Sequence, residues 1–259
     1  MDESEINEQY LSKGRFIGPA LDLEALDWIR ERVVEISADV LKQPNPNDIQ
    51  GFLETIHQLV SGAELNEKRL EIIFRLCDLP EFNKKFFLIA KQYLEYIVGN
   101  ELAIQKRINL SIQMPDDVDS LLSVHADTWS GDSAFEAVVW VPLVNCEKSM
   151  SMYLLPPDEY PAFSKSFSEI AKGGSENIFS SIESKVEWIK IDYGQVMIFD
   201  QTLPHGNRVN NEASTRWSIN CRFKAVFSPY RDKKLGEFFE PISLRPASIR
   251  GLQYEFPIL

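Results

Sequence analysis

Histidine is the scarcest chemically versatile residue in this chain, with three among 259 positions. Cysteine is as rare. Cys77, Cys146 and Cys221 are odd in number and far apart, and none forms a Cys-x-x-Cys pair. Neither a disulfide framework nor a zinc knuckle is therefore suggested, and a reducing cytosol is the expected compartment. No apolar run approaches the ~18 residues of a membrane span. The acidic start Met1-Asp2-Glu3-Ser4-Glu5 lacks the apolar core of a signal peptide. Basic residues are outnumbered, with Lys and Arg at 27 positions against 39 for Asp and Glu, a formal net charge of −12. That balance argues against nucleic acid or an anionic membrane as partner and leaves a small molecule as the expected one. There are no internal repeats and no low-complexity tracts.

What remains is an ordinary globular composition, 44% hydrophobic and 25% charged. The first hundred residues read as helices. Leu23, Leu26, Ile29, Val33, Ile36 and Val40 recur at helical spacing within 21–42, and Pro44-Asn45-Pro46-Asn47 ends that pattern. Further helical patterns cover roughly 48–60, 64–77 and 81–98, the last stopping at Gly99-Asn100. The period then changes to two. In 104–114, Ile104, Ile108, Leu110, Ile112 and Met114 alternate with Arg107, Asn109, Ser111 and Gln113. Strand-like segments follow near 121–125, 135–145, 150–155, 186–191, 195–200, 206–209 and 215–227. About eight antiparallel strands in this order suit a jelly roll, a double-stranded β-helix of two packed sheets. The expected class is α+β, one domain over 1–259: a helical support region (1–100), a jelly-roll core (101–228) and a C-terminal extension (229–259). The stretch 157–184 interrupts the strand rhythm, with a short helix around Phe163, Phe167 and Ile170, and is expected to act as a lid or substrate insert.

Two of the three histidines stand in a chemically suggestive setting. His125-Ala126-Asp127 places an imidazole and a carboxylate two residues apart, on one side of an extended segment. His205 follows the apolar strand 195–200. Two imidazoles and a carboxylate make the facial triad that holds non-heme Fe(II) and leaves coordination positions open. A His-x-acid pair alone is weak evidence, since roughly 0.45 such pairs arise by chance in a chain of this ordinary composition. The strand 215–227 adds to it. Trp217, Ile219, Cys221 and Phe223 make one face; Arg216, Ser218, Asn220, Arg222 and Lys224 make the other. Cations and hydroxyls facing inward are costly unless they bind something. The Arg216 guanidinium fork matches a carboxylate bidentately, and Ser218 can add a hydrogen bond.

With these residues in view, the sequence resembles the Fe(II)/2-oxoglutarate-dependent oxygenase superfamily, in particular its phytanoyl-CoA-hydroxylase-like branch. The runs Val139-Trp140-Val141-Pro142-Leu143-Val144-Asn145 and Met152-Tyr153-Leu154-Leu155-Pro156 are similar to that branch's central strand pair. The segments around His125 and from Pro204 to Pro229 also resemble bacterial oxygenases encoded in surface-carbohydrate gene clusters. The resemblance covers roughly 105–228. It implies Fe(II) held by His125, Asp127 and His205, with 2-oxoglutarate chelating the metal and its distal carboxylate on Arg216 and Ser218. O2 would complete the reaction, giving succinate and CO2. It implies oxidation of a small polar, carbohydrate-related metabolite by hydroxylation, desaturation, epimerisation or ring closure. Asp127 separates the chain from related halogenases, which lack that carboxylate.

Alternatives stand beside each reading. Arg222 serves either as a substrate anchor or as half of a buried ion pair. Gln113, Asn109, Tyr153 and Asn220 line the pocket or merely a wet sheet face. Trp129 walls the active site or packs. Two further functions remain open: a non-redox metal cupin such as an isomerase, and a silent jelly-roll binding module. The first usually requires a His-x-His pair that Asp127 interrupts. The second leaves the triad and Arg216 without purpose.

Overall fold

The structure, a computed structural model, describes residues 2–258. The chain opens with helix α1 (Glu3–Lys13), where Asp2 and Glu5 close a capping box. Strand β1 (Arg15–Pro19) follows directly. Helices α2 (Leu23–Val40), α3 (Ile49–Thr55), α4 (Gly62–Cys77) and α5 (Phe82–Ile97) complete the helical part. Asp22 and Asp48 start α2 and α3 by accepting the amides of Ala25 and Gly51. These helices agree with the periodic pattern to within a few residues; the end of 48–60 is a 3-10 turn over Ile56–Gln58. No described helix is long and apolar enough to cross a membrane.

The larger sheet runs β1-β7-β4-β9-β2-β10, from β2 (Leu102–Gln105), β4 (Glu136–Pro142), β7 (Gln195–Asp200), β9 (Arg216–Ala225) and β10 (Phe239–Ser243), with β3 (Asn109–Gln113) also on β9. All its pairings are antiparallel. A smaller sheet, β6-β5-β8, joins β5 (Tyr153–Leu154), β6 (Glu187–Trp188) and β8 (His205–Gly206). Single bridges at Pro115–Asn210, His125–His205 and Cys146–Ile191 extend the pairing among the loops. The expected jelly-roll core backed by N-terminal helices is thus the observed arrangement.

β9 is the axis of the molecule. It pairs with β4 along one edge; along the other, β3 takes its first half and β2 its second. Its apolar face meets the helices. Phe223 lies 6.4 Å from the Phe86 ring and 6.2 Å from the Phe87 ring, and the Trp217 indole N–H donates to the Leu53 carbonyl at 2.8 Å. Its polar face turns inward.

The sequence reading needs correction in several places. β1 and β10 lie outside the expected 101–228 core yet belong to the larger sheet. β1 is a five-residue edge strand containing Gly18 and Pro19, too short to show alternation. The segment 104–114 is two strands, split so that β2 and β3 address different halves of β9. The segment 121–125 contributes only the bridge at His125, and three other strands shrink to two residues each. Residues 157–184 form two helices, α6 (Tyr160–Ile170) and α7 (Gly174–Ile182), packed on Tyr153 and Leu155 in a separate apolar cluster. The extension ends in a short helix, α8 (Pro246–Leu252).

Gly14 closes α1 with φ 66°, and a Cβ there would lie 2.2 Å from Leu203 Cδ1. Its carbonyl accepts the Asp200 amide at 2.9 Å, joining the first turn of the chain to the end of β7. Replacing Gly14 by Ala is expected to cost about 1–2 kcal/mol from the left-handed backbone alone. That corresponds to a melting midpoint lower by at least about 2 °C, readable by circular dichroism; an unchanged midpoint would show that this junction tolerates a side chain.

Candidate metal centre

Backbone pairing brings the two histidines together. The His125 amide donates to the His205 carbonyl at 2.9 Å, and the reciprocal bond is 2.8 Å. The imidazole centroids lie 4.3 Å apart. Each ring is oriented from behind by its own loop: His125 Nδ1 to the Ser123 carbonyl at 2.8 Å, His205 Nδ1 to the Leu203 carbonyl at 2.9 Å. A carbonyl only accepts, so both Nδ1 atoms carry the proton and both Nε2 lone pairs face away from those loops. They face Asp127 Oδ1, at 3.5 Å from His125 and 3.9 Å from His205. One ligand atom from each residue lies within 4.8 Å of the other two.

Electrostatics favours the ligating states. Burial, reinforced by neighbouring His125, pulls the His205 pKa down to about 4, with Asp127 opposing, so the ring is neutral at pH 7. Burial alone would raise the Asp127 pKa; His205, Arg222 and His125 outweigh it and hold the carboxyl below its ordinary range. Two imidazoles and one carboxylate are the donor set suited to non-heme Fe(II), and carbonyls that orient the imidazoles are usual behind such ligands.

Arg222 stands behind Asp127. Its Nε and Nη2 reach Asp127 Oδ2 at 3.1 and 2.7 Å, and its Nε is 3.2 Å from Asp132 Oδ1. Asp132 also takes Lys233 Nζ at 2.6 Å. Of the two readings of Arg222, the geometry supports the ion pair, although the side chain also touches the cavity. The pair occupies one carboxylate oxygen and leaves the other toward the histidines.

Arg216 is the opposite case. It is buried and donates to Ser111 Oγ at 2.6 Å, while its Nε has no hydrogen-bond partner. Burial pulls its pKa down to about 10, and no carboxylate lies within 4.0 Å among the described residues. Ser218 Oγ, next along the same strand face, is also buried and unpartnered. A buried cation without an anion, beside an unused hydroxyl, is costly. A ligand carboxylate relieves both.

These groups border a cavity of about 430 Å³. His125, Asp127, His205, Arg216, Arg222, Asn109 and Asn220 all line it, the two asparagines hydrogen-bonded to each other at 2.9 Å. Four candidates lie elsewhere. Ser218 and Gln113 are buried beside the cavity without lining it; Gln113 is paired in register with Arg216 and donates to the Arg208 carbonyl. Trp129 packs on Phe163 and Phe167 of α6, at 6.3 and 4.6 Å, so it is a packing residue. Tyr153 lies under Phe179 and Trp188, at 5.1 and 5.5 Å, on the side of the small sheet that faces the insert. The expected insert 157–184 contributes nothing to the cavity wall. The rest of the wall includes α4, through Leu65, Asn66 and Arg69, and the loop containing Asp117 and Asp119. One signal for Arg69 was present in the sequence: it sits four residues after Leu65 and three before Ile72, on the apolar stripe of its helix.

No protein-family model matches the chain, and no curated protein sequence matches it. Solved structures do resemble it. A non-heme monooxygenase, ThoJ in its nickel complex, superposes with a TM-score of 0.54 at 14% identity, over 86% of this chain and 79% of that one. HygX from Streptomyces hygroscopicus, with nickel and 2-oxoglutarate bound, gives 0.55 at 12% identity over 89% of each. The α-ketoglutarate-dependent epimerase SnoN from nogalamycin biosynthesis gives 0.53 at 16% identity, over 88% and 83%. At these identities the likeness is one of fold: the chain has the cupin-like jelly roll that these non-heme enzymes share.

If Arg222 fixes Asp127, replacing it by Gln should weaken Mn(II) binding by roughly 10- to 100-fold, as measured by titration calorimetry. Equal affinity in the variant would reduce Arg222 to a packing role.

Proposed function

We propose that the protein is an Fe(II)- and 2-oxoglutarate-dependent oxygenase acting on a small polar, carbohydrate-related metabolite, with 1–259 as one oxygenase domain. His125, Asp127 and His205 hold the metal. Arg216 holds the distal carboxylate of 2-oxoglutarate, with Ser218, which shares its strand face just behind the cavity lining, as a second donor. Asn109, Asn220 and Arg222 face the remaining space. With 2-oxoglutarate and O2, such an ion supplies an oxidant for unactivated C–H bonds, with succinate and CO2 as co-products. One observation carries the reading: a convergent two-imidazole, one-carboxylate set shares a cavity with a buried arginine that lacks an anion. A non-redox cupin usually draws on a His-x-His pair, which Asp127 interrupts here; the unpaired Arg216 is the second feature that favours the oxygenase reading.

The chain's own part is positional. The paired backbones of His125 and His205 fix the imidazoles, and Arg222 restricts Asp127 to one free oxygen. Trp140, Val138, Phe199 and Met152 supply apolar wall around these polar groups, which strengthens every charge interaction by limiting water. The three free cysteines support a reducing, cytosolic location.

Mixing the protein with Fe(II) and 2-oxoglutarate without air should give a weak visible charge-transfer band. Succinate should form once air is admitted. Absence of both contradicts the proposal. Asp127→Ala should abolish succinate formation; full activity in that variant would break the metal assignment. Arg216→Gln should raise the half-saturating 2-oxoglutarate concentration by about 10-fold or more, the value of a charge-assisted hydrogen bond. Unchanged saturation would remove Arg216 from the co-substrate site.

A further inference from the structure

The cavity wall contains a second cation without an anion. Arg69 lies on the apolar stripe of α4, between buried Leu65 and buried Ile72, where packing alone would place a hydrophobe. Its guanidinium is fixed at two points: Nη1 donates to the Leu110 carbonyl of β3 at 3.0 Å, and Nη2 donates to Asn66 Oδ1 at 2.8 Å. Both partners are neutral. No carboxylate lies within 4.0 Å among the described residues, and burial lowers the pKa from its ordinary value. A guanidinium has five N–H groups, so donors remain for something in the cavity. Arg69 thus combines a rigid mount, partial burial and missing charge compensation, as Arg216 does.

The neighbouring loop adds an acceptor. Asp117 lines the same cavity; its Oδ1 accepts the Asp119 amide at 3.0 Å, while its Oδ2 is buried with no partner. The part of the cavity wall made by α4 and the loop containing Asp117 therefore offers one unpaired cation and one unused carboxylate oxygen. An uncharged apolar substrate leaves both unsatisfied. A molecule with an anionic group and hydroxyl or ammonium donors satisfies both.

We propose that Arg69 is the specificity-determining anchor for an anionic group on the substrate, a carboxylate or a phosphate ester, and that Asp117 accepts from a hydroxyl or ammonium of the same molecule. This deepens the oxygenase reading and rests on it. It gives the two cavity arginines that lack an anion different duties: Arg216 takes the co-substrate and Arg69 takes the substrate.

The test uses the anaerobic Fe(II)–2-oxoglutarate complex of the full chain, with its charge-transfer band as reporter. The probes are D-glucose, D-glucuronate and D-glucose 6-phosphate, with L-threonine against L-threoninamide as a second matched set. The member of a set that carries a carboxylate or phosphate should perturb the band at a concentration at least about 10-fold below the member without one. The glucuronate and 6-phosphate arms distinguish carboxylate from phosphate. Arg69→Gln should erase the difference while the band still forms at the same 2-oxoglutarate concentration; Arg69→Lys, which keeps the charge, should retain part of it. The proposal is overturned if probes with and without a carboxylate or phosphate perform alike, if none perturbs the band, or if Arg69→Gln raises the 2-oxoglutarate requirement. A wild-type protein that forms no band at all instead defeats the oxygenase reading beneath it.

Discussion

β9 must satisfy two environments at once, and most of the structure follows from that. Its odd-numbered residues from Trp217 to Phe223 are buried under the helices. Its even-numbered residues, Arg216 to Arg222, point into the jelly roll. A one-residue slip in register would drive two arginines into an aromatic core and turn Trp217 and Phe223 toward the cavity. That penalty makes the register unambiguous. β3 follows from the same constraint: its pairing sets Ser111 opposite Ser218 and Gln113 opposite Arg216. The helical region supplies the apolar cover that lets β9 carry cations on its other side.

The cavity's charges fall into two groups. Arg222 is compensated by Asp127 and Asp132, and Lys233 shares Asp132. That network belongs to the protein and keeps the Asp127 carboxylate in place. Arg216 and Arg69 are held by neutral partners only, a serine hydroxyl, a backbone carbonyl and an asparagine. Keeping a desolvated guanidinium without an anion destabilises a fold, and so marks a position where a ligand completes the charge balance. Counting which arginines are paired is therefore more informative than counting arginines.

The sequence was most readable where one periodicity ran over many residues. The helices α2, α4 and α5 and the long strand β9 appear in it almost at their observed bounds. The histidines and Asp127 were readable because histidine is so rare here. The failures have physical causes. Two-residue strands such as β5 and β8 exist only through tertiary pairing. β1 and β10 are short edge strands separated from the core by long stretches of sequence. Trp129 and Tyr153 were assigned to the cavity by nearness in sequence to His125 and to the central strand pair, whereas packing against α6 and α7 takes them away from it. The α4 part of the cavity wall was missed because Leu65, Asn66 and Arg69 precede His125 by more than fifty residues. Only its misplaced arginine hinted at that role.

The central claim is that one cavity binds a metal ion and a dicarboxylate together, on residues already arranged for both. A crystal structure with Mn(II) and 2-oxoglutarate tests it most directly. The account predicts the ion at about 2.0–2.2 Å from His125 Nε2, His205 Nε2 and one Asp127 oxygen, with the far carboxylate of 2-oxoglutarate on Arg216. A metal bound elsewhere, or 2-oxoglutarate bound without contact to Arg216, would contradict it.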